Sequence, residues 1–278
     1  MTETEMECSR AGGRMSAERR RARLLELVRR KGFATLPELV QQLGVSESTV
    51  RRDLDSLEAS GTAKRTHGGV FYTGPSPRVD HFELRQSQQW EKKRQIAAAA
   101  AERIADGETV LLDGGSTTYE LARLLVHRPL QVVTNSLPVA NLFTTSDTID
   151  LVLVGGYLHG RTGVLVGPYS NQMLRQLNVQ RAVLSVAGAN EEGFYNSNLL
   201  LVETERQMMQ SADEVMILAD STKFGRRSLA RLCGLADADV VVSDNQLEAL
   251  WRERLAAEGV KFVEAPPWDN PAPKDGRE

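Results

Sequence analysis

The stretch Leu36-Pro37-Glu38-Leu39-Val40-Gln41-Gln42-Leu43-Gly44-Val45-Ser46-Glu47-Ser48-Thr49-Val50-Arg51-Arg52-Asp53-Leu54-Asp55-Ser56-Leu57 decides how this chain is read. Leu36, Leu39, Val40 and Leu43 recur at i, i+3, i+4 and i+7, the apolar stripe of a short helix. Gly44 can take the left-handed conformation that ends a helix, and Ser46 is a good N-cap for the next one. In that second helix Val50, Leu54 and Leu57 share one face, with Ser48, Arg51, Arg52 and Asp55 around the other. Two short helices joined by a Gly-containing turn, the second with a polar, basic outer face, form a helix-turn-helix pattern whose second helix suits a major groove. Spacing alone fits a helical hairpin with a solvated face equally well.

After Gly61 comes Lys64-Arg65-Thr66-His67-Gly68-Gly69-Val70-Phe71-Tyr72, a basic segment turning on two glycines and leaving as an apolar, β-prone run. It predicts a small hairpin, a wing. The string Ser46-x-Ser48-Thr49-Val50-Arg51-Arg52-Asp53-Leu54-x-x-Leu57-x-x-x-Gly61, then Arg65-x-His67-Gly68-Gly69, resembles the N-terminal signature of the DeoR family of bacterial transcriptional regulators. The resemblance implies a head for double-stranded operator DNA, using Ser46, Ser48, Thr49, Arg51 and Arg52 of the helix-turn-helix and Arg65 and His67 of the wing.

At 278 residues, 41% hydrophobic and 26% charged, the chain is long enough for two soluble domains with separate cores. No apolar run approaches the ~18 residues that span a bilayer. Residues 1–15 lack the apolar core of a secretory signal. Cys8 and Cys233 are isolated, with no metal-ligand spacing, so neither a metal site nor a disulfide framework is expected, and a reducing cytoplasm fits. Cys233 reads as buried filler rather than a nucleophile. The net charge of −3 hides an asymmetry: residues 16–72 carry +4 and residues 73–278 carry −6. A basic head on an acidic body suits a DNA-binding module joined to a remainder that does not bind DNA.

In chain order, residues 1–15 have no period and are expected to be a disordered tail. Residues 16–72 form the winged helix-turn-helix, beginning with a helix from Ser16 to Lys31 that faces Leu24, Leu25, Leu27 and Val28 inward. Its Arg19-Arg20-Arg21 and Arg23 either touch phosphates or form a solvated charge run. Thr73-Gly74-Pro75-Ser76-Pro77 marks the domain boundary. Residues 73–90 read as a linker, with a polar connecting helix from His81 to Arg94 that runs on into strong helix formers as far as Gly107. Residues 91–264 alternate strand, turn and helix, and residues 265–278 read as a disordered tail. The candidate strands Val110–Asp113, Val132–Thr134, Leu151–Val154, Ala182–Val186, Val215–Ala219, Val240–Ser243 and Lys261–Val263 are continuous apolar runs, as strands buried on both faces require. With helical stretches between them, the fold class is α/β with a mainly parallel sheet.

In such sheets ligands bind beyond the carboxyl ends of the strands. Here those ends read Asp113-Gly114-Gly115-Ser116-Thr117-Thr118, Thr134-Asn135-Ser136, Gly155-Gly156, Ala187-Gly188-Ala189-Asn190 and Asp220-Ser221-Thr222-Lys223-Phe224-Gly225. Glycines admit an anion to backbone amides, hydroxyls and a helix start supply donors, and Lys223 is the cation. The candidate ligand set is Asp113, Gly115, Ser116, Thr117, Thr118, Asn135, Gly155, Gly156 and Lys223. Each residue alone could be a turn or a cap; as a set they suit a polyol-like anion. Neither a nucleotide loop nor another cofactor motif is present. The same strings resemble the DeoR-family effector domain, which implies a fold related to ribose-5-phosphate isomerase and a phosphorylated sugar or sugar alcohol as effector. It also implies release of a repressed catabolic operon, and two heads on a palindromic operator require at least a homodimer. The alternative is an isomerase-like enzyme carrying a DNA-binding head. It would need a positioned base, for which Asp113, Glu191, Glu192 and Asp220 are candidates with no spacing to single one out.

Overall fold

A computed structural model describes residues 16–31, 33–59, 62–66, 69–72 and 82–267. The two expected tails (apart from residues 265–267), Gly32, Gly61, His67 and Gly68 of the head, and residues 73–81 of the linker lie outside the described residues. The chain divides into two compact units, 1–76 and 77–278.

The first unit runs α1 (Ala17–Lys31), β1 (Phe33–Ala34), α2 (Leu36–Leu43), α3 (Glu47–Ala59), β2 (Ala63–Thr66) and β3 (Gly69–Tyr72). A capping box starts α2: Thr35 Oγ1 accepts from the Glu38 amide at 3.4 Å, and Glu38 Oε2 accepts from the Thr35 amide at 2.8 Å. Gly44 ends it at φ 64°, as the sequence predicts. Leu24, Val28, Leu39, Val50, Leu54 and Leu57 fuse the three helices into one core with Ala63 and Val70 of the wing. β3 pairs antiparallel with β1 on one side and β2 on the other. The arginine run of α1 divides in role. Arg20 grips the buried Asp53 through Nε at 2.5 Å and Nη2 at 3.0 Å, and Arg21 donates to Ser56 Oγ at 3.0 Å, so both staple α1 to α3.

The second unit opens with α4 (Phe82–Ser87) and α5 (Trp90–Ala101), followed by β4 (Thr109–Leu112), α6 (Ser116–Leu125), β5 (Leu130–Thr134), α7 (Leu137–Phe143) and β6 (Ile149–Leu153). A hairpin of β7 (Tyr157–His159) and β8 (Val164–Val166) leads into α8 (Pro168–Leu174) and β9 (Val179–Ser185). Then come β10 (Gly188–Asn190), β11 (Gly193–Asn196), α9 (Leu199–Gln210), β12 (Ala212–Leu218), β13 (Ala230–Cys233), β14 (Val240–Asp244), α10 (Ala249–Ala257) and β15 (Lys261–Ala265). Seven strands form one sheet in the order β6-β5-β4-β9-β12-β14-β15, every pair parallel. These are the seven strands expected from the apolar runs. Alternate residues explain why the runs are continuous: Leu111, Val133, Leu184, Ile217 and Val241 face one core, while Val110, Leu112, Val132, Val183 and Met216 face the other.

Three features depart from expectation. The connecting helix is broken, because Gln89 sits at φ 51° between α4 and α5. Within the stretch read as linker, Phe82 packs its ring edge-on against Tyr119 of α6, with centroids 5.3 Å apart. Ala265, read as the start of a tail, ends β15 and is buried. A small antiparallel sheet, β10-β11-β13, and the β7–β8 hairpin were not legible, since their strands are only three or four residues long.

The order also fixes where a ligand can sit. The chain moves from β4 outward through β5 to β6, then returns to the other side of β4 as β9 and continues outward. The reversal opens a crevice between the carboxyl ends of β4 and β9.

A Cβ on Gly44 would meet nothing within 4 Å, so only its positive φ opposes a side chain. Gly44→Ala is expected to destabilise the head by roughly 1–2 kcal/mol, read by denaturant unfolding, and to leave the α/β unit's transition in place. An unchanged head transition would contradict the assigned turn.

Candidate functional site

At the reversal point the buried Asp113 joins β4 to β9. Its Oδ1 accepts from the Gly115 amide at 3.0 Å, and its Oδ2 accepts from the Ser185 amide at 2.8 Å and the Ser185 hydroxyl at 3.1 Å. Burial pushes its carboxyl up, and the surrounding hydroxyls (Thr118 included) and amides pull it back. Asp113 therefore shapes the loop from below. Gly115 lies so close to Ser185 that a Cβ would collide with Ser185 Oγ, and one on Gly114 would collide with Val164 of β8. Gly115 is the N-cap of α6 without a side-chain cap, which leaves the first-turn amides of Ser116, Thr117 and Thr118 without an intrahelical acceptor.

The neighbouring strand ends close around this loop. Asn135, after β5, donates through Nδ2 to the Leu165 carbonyl at 2.8 Å, and its carbonyl accepts from the Leu165 amide at 2.7 Å. These bonds dock the β7–β8 hairpin on the end of β5. The buried Asn135 Oδ1 has no hydrogen-bond partner among the described residues. Gly155 and Gly156 follow β6 and are exposed; the Gly155 carbonyl accepts from Ser170 Oγ at 2.7 Å, and Gly156 takes φ 148°. The hairpin also reaches α4, through a bond from the Phe82 amide to the Arg161 carbonyl at 3.2 Å.

On the far side of β9, a 3-10 turn at Ser221–Lys223 follows β12. Asp220 is its cap and accepts from the Thr222 amide at 3.1 Å through Oδ1. The buried Asp220 Oδ2 has no hydrogen-bond partner among the described residues and lies 3.9 Å from Lys223 Nζ. Asp244 accepts from the Ser221 amide at 2.6 Å, and Lys92 of α5 reaches Asp244 Oδ2 at 3.2 Å and Ser221 Oγ at 2.7 Å. Lys93 is 4% exposed and donates to the Arg85 carbonyl at the end of α4. Burial, then the charge of Lys223, lowers it to about 8.

Behind Asp113 lies a second buried acid, Glu205 of α9. Both its oxygens meet Asn196 Nδ2, at 2.7 and 2.8 Å, and the same nitrogen donates to the Ser185 carbonyl at 3.1 Å. Burial, reinforced by Asp113, holds Glu205 well above the usual carboxylate range. Lys93 and Ser185 were not singled out from sequence, and the stretch Asn196-Ser197-Asn198-Leu199 to Glu203-Thr204-Glu205-Arg206, which resembles a subgroup of the DeoR family, gives no ligand by itself: in sequence the lysine is one of a helix's several polar residues, and only the fold brings α5 and α9 to the loop. Among the described residues no group of three or more His, Cys, Asp or Glu side chains is placed to hold a metal ion. Cys233 is half-buried in β13 and its thiol is pushed up to about 12, which suits packing rather than attack.

In the head, Ser46, Ser48 and Thr49 cluster at the start of α3, with Ser46 Oγ 3.0 Å from Ser48 Oγ and 2.8 Å from Thr49 Oγ1. Arg51 folds back on Glu47 at 2.5 Å, an exposed pair of the kind worth about 0–1 kcal/mol and readily exchanged. Arg65 of β2 pairs with Asp55 of α3. Arg52 is exposed and has no partner among the described residues.

A winged helix-turn-helix unit followed by a parallel α/β unit with a crevice at its strand reversal defines the class of regulators that join a DNA-binding head to a sensor domain. The family models agree: a DeoR-like helix-turn-helix domain matches residues 20–74, and a DeoR C terminal sensor domain matches residues 88–245. The chain belongs to the DeoR family of transcriptional regulators. It is 31% identical over 232 residues to the glycerol-3-phosphate regulon repressor of Escherichia coli (strain K12), covering 83% of this chain and 92% of that protein. It is 28% identical over 250 residues to the HTH-type transcriptional regulator UlaR of Escherichia coli (strain K12 / DH10B), covering 90% and 99%. Among solved structures, a D-ribose-5-phosphate isomerase in complex with phospho-erythronic acid shares 18% identity at a TM-score of 0.36, covering 48% of this chain and 52% of that one.

Glu205 binds its proton more tightly in the folded than in the unfolded chain, so the stability it contributes is fully present below about pH 4.5 and is lost as pH rises through its folded value. Glu205→Gln keeps one acceptor for Asn196 and removes the titration. The melting temperature of the parent is expected to fall progressively below that of the variant as pH rises from 4.5. A difference that stays constant with pH would contradict a neutral, buried Glu205.

Proposed function

We propose that this chain is a repressor that holds double-stranded operator DNA with its head and lets go when a phosphorylated sugar or sugar alcohol binds its α/β unit. The observation that carries the reading is the strand reversal between β4 and β9, flanked by the first-turn amides of Ser116, Thr117 and Thr118, which have no intrahelical acceptor, and by the Asp220–Lys223 turn. Donors and a cation suit a phosphoryl group, and an acceptor beside them suits a hydroxyl. The name of one relative, the glycerol-3-phosphate regulon repressor, supports a phosphorylated polyol. On this reading at least two chains meet on a palindromic operator. No described helix is long and apolar enough to cross a membrane, in keeping with action on DNA in the cytoplasm.

Turnover is the less supported reading. Of the four acids that could serve as base, Asp113 has both oxygens engaged by donors, while Glu191 and Glu192 pair on the surface with Arg254 and Arg227. Asp220 keeps one free oxygen but neighbours Lys223, which suits holding a ligand better than removing a proton.

Two substitutions separate the roles. Arg52→Ala is expected to weaken operator binding by ~1–3 kcal/mol if it reads a base, or to reduce the salt slope by about one if it meets a phosphate, with unfolding unchanged. Binding like the parent's across a salt series would remove Arg52 from the DNA face. Lys223→Met is expected to keep operator affinity and to need tenfold or more effector for release, since a hydrogen bond to a charged group is worth ~1.5–3 kcal/mol. An unchanged release midpoint would remove Lys223 from the site.

A further inference from the structure

Val50, Asp53, Leu54 and Leu57 turn one side of α3 to the core of the head. Ser48, Arg51, Arg52 and Asp55, at i, i+3, i+4 and i+7, form the exposed side opposite. That is the side a recognition helix presents to a major groove. A serine and two arginines there suit phosphates and the acceptor edge of guanine. Asp55 does not. It is a carboxylate with its side chain 61% exposed, on a face that must approach a polyanion.

The two oxygens of Asp55 are differently placed. Oδ1 accepts from Arg65 Nη1 of β2, and the Arg65 amide donates to Glu58 Oε1, one turn further along α3, at 3.3 Å. The wing strand is thereby held along the flank of α3, and one side of the carboxylate is anchored. Among the described residues Oδ2 accepts no bond. An anchored acceptor on this face finds a donor in a groove only where a base offers an amino group. Adenine sets its N7 acceptor beside that group, whereas the N4 amine of cytosine is the donor that a carboxylate suits. Opposite any other base the charge would meet acceptors and phosphates with nothing to pair it.

We propose that Asp55 is a specificity-determining residue of the head, accepting through Oδ2 from the N4 amine of a cytosine in the major groove while Arg65 holds Oδ1. The proposal rests on the reading of the head as an operator-binding domain and adds to it a residue that selects by repulsion as well as by attraction. Where the cytosine is present the carboxylate is paired; where it is absent the same charge opposes binding. Asp55 therefore contributes selectivity between sites more than total affinity, which the arginines supply.

In the test the full chain selects its site from a randomised pool of DNA duplexes. Each base pair of that site is then changed in turn, and affinity is read by fluorescence anisotropy at one fixed salt concentration. The parent is expected to prefer cytosine by roughly tenfold at one position of each half-site. Asp55→Ala puts a good helix former at an exposed helical position, so it is expected to melt like the parent. It should bring that one preference below about twofold and leave the preferences at other positions in place. Arg65→Met separates base readout from placement of the wing: it keeps the carboxylate on α3, so the cytosine preference should persist while affinity changes alike for every duplex. The proposal is overturned if Asp55→Ala keeps the parent's preference at every position, if it loses affinity equally for all duplexes, or if the base it ceases to select is not cytosine. It is also overturned if Arg65→Met erases the same preference, since Asp55 would then act only as the anchor of the wing. If Arg52→Ala weakens binding to the selected site and Asp55→Ala alters no preference, the operator-binding reading stands without this addition. A parent that selects no sequence overturns both.

Discussion

The sensor unit turns on a single buried carboxylate. Asp113 ends β4 where the order of strands reverses, and its two oxygens tie that strand's loop to β9 through Gly115 and Ser185. The last backbone bond between the two strands runs from the Asp113 amide to the Val183 carbonyl at 3.2 Å. Beyond that point the crevice would be free to close or splay. The Asp113 bonds set its width, and two glycines let the loop lie flat against Ser185 and Val164. Everything a ligand could touch, from the first amides of α6 to the turn after β12, is placed relative to that anchor.

The same economy explains the pairing of acids and bases around the crevice. Burial raises both Asp113 and Glu205, hydrogen bonds pull each back, and Asn196 links Glu205 to Ser185, so the floor under the loop is a buried hydrogen-bonded network. The cations stand to one side, on α5 and the turn after β12. On the proposed reading, that network and the lysines beside it would hold an anion without offering it a base. Function lies in the site rather than in the fold, so this arrangement is what the sensor reading depends on.

The sheet was legible because its seven strands are buried on both faces and therefore read as unbroken apolar runs, and the head because α2 and α3 carry amphipathic stripes punctuated by Gly44 and Ser46. What could not be read is what depends on distant pairings. Arg20 reads as one of seven basic residues on α1 and becomes structural only when Asp53 of α3 is brought opposite. The β7–β8 hairpin gives no periodic signal, since each strand is three residues long, and its place is fixed by bonds to Asn135 and Phe82 that lie far off in sequence. Lys93 sits among Glu91, Lys92 and Arg94, where composition predicts a solvated face. The strand-end loops were visible as unusual residues, but their division into anchors, such as Asp113, and exposed loop, such as Gly155 and Gly156, needed the fold.

The account stands on one coupling: a phosphorylated polyol in the α/β unit weakens the hold of the head on DNA. A ligand can do this only by binding the DNA-free state more tightly than the DNA-bound one. The most direct measurement is fluorescence anisotropy of the full chain on labelled DNA from its own upstream region, titrated with phosphorylated sugars and sugar alcohols and with their unphosphorylated counterparts. The account predicts that at least one phosphorylated compound releases the DNA with a saturable midpoint, while its unphosphorylated counterpart does not. Specific binding to that DNA that no phosphorylated compound alters would contradict it.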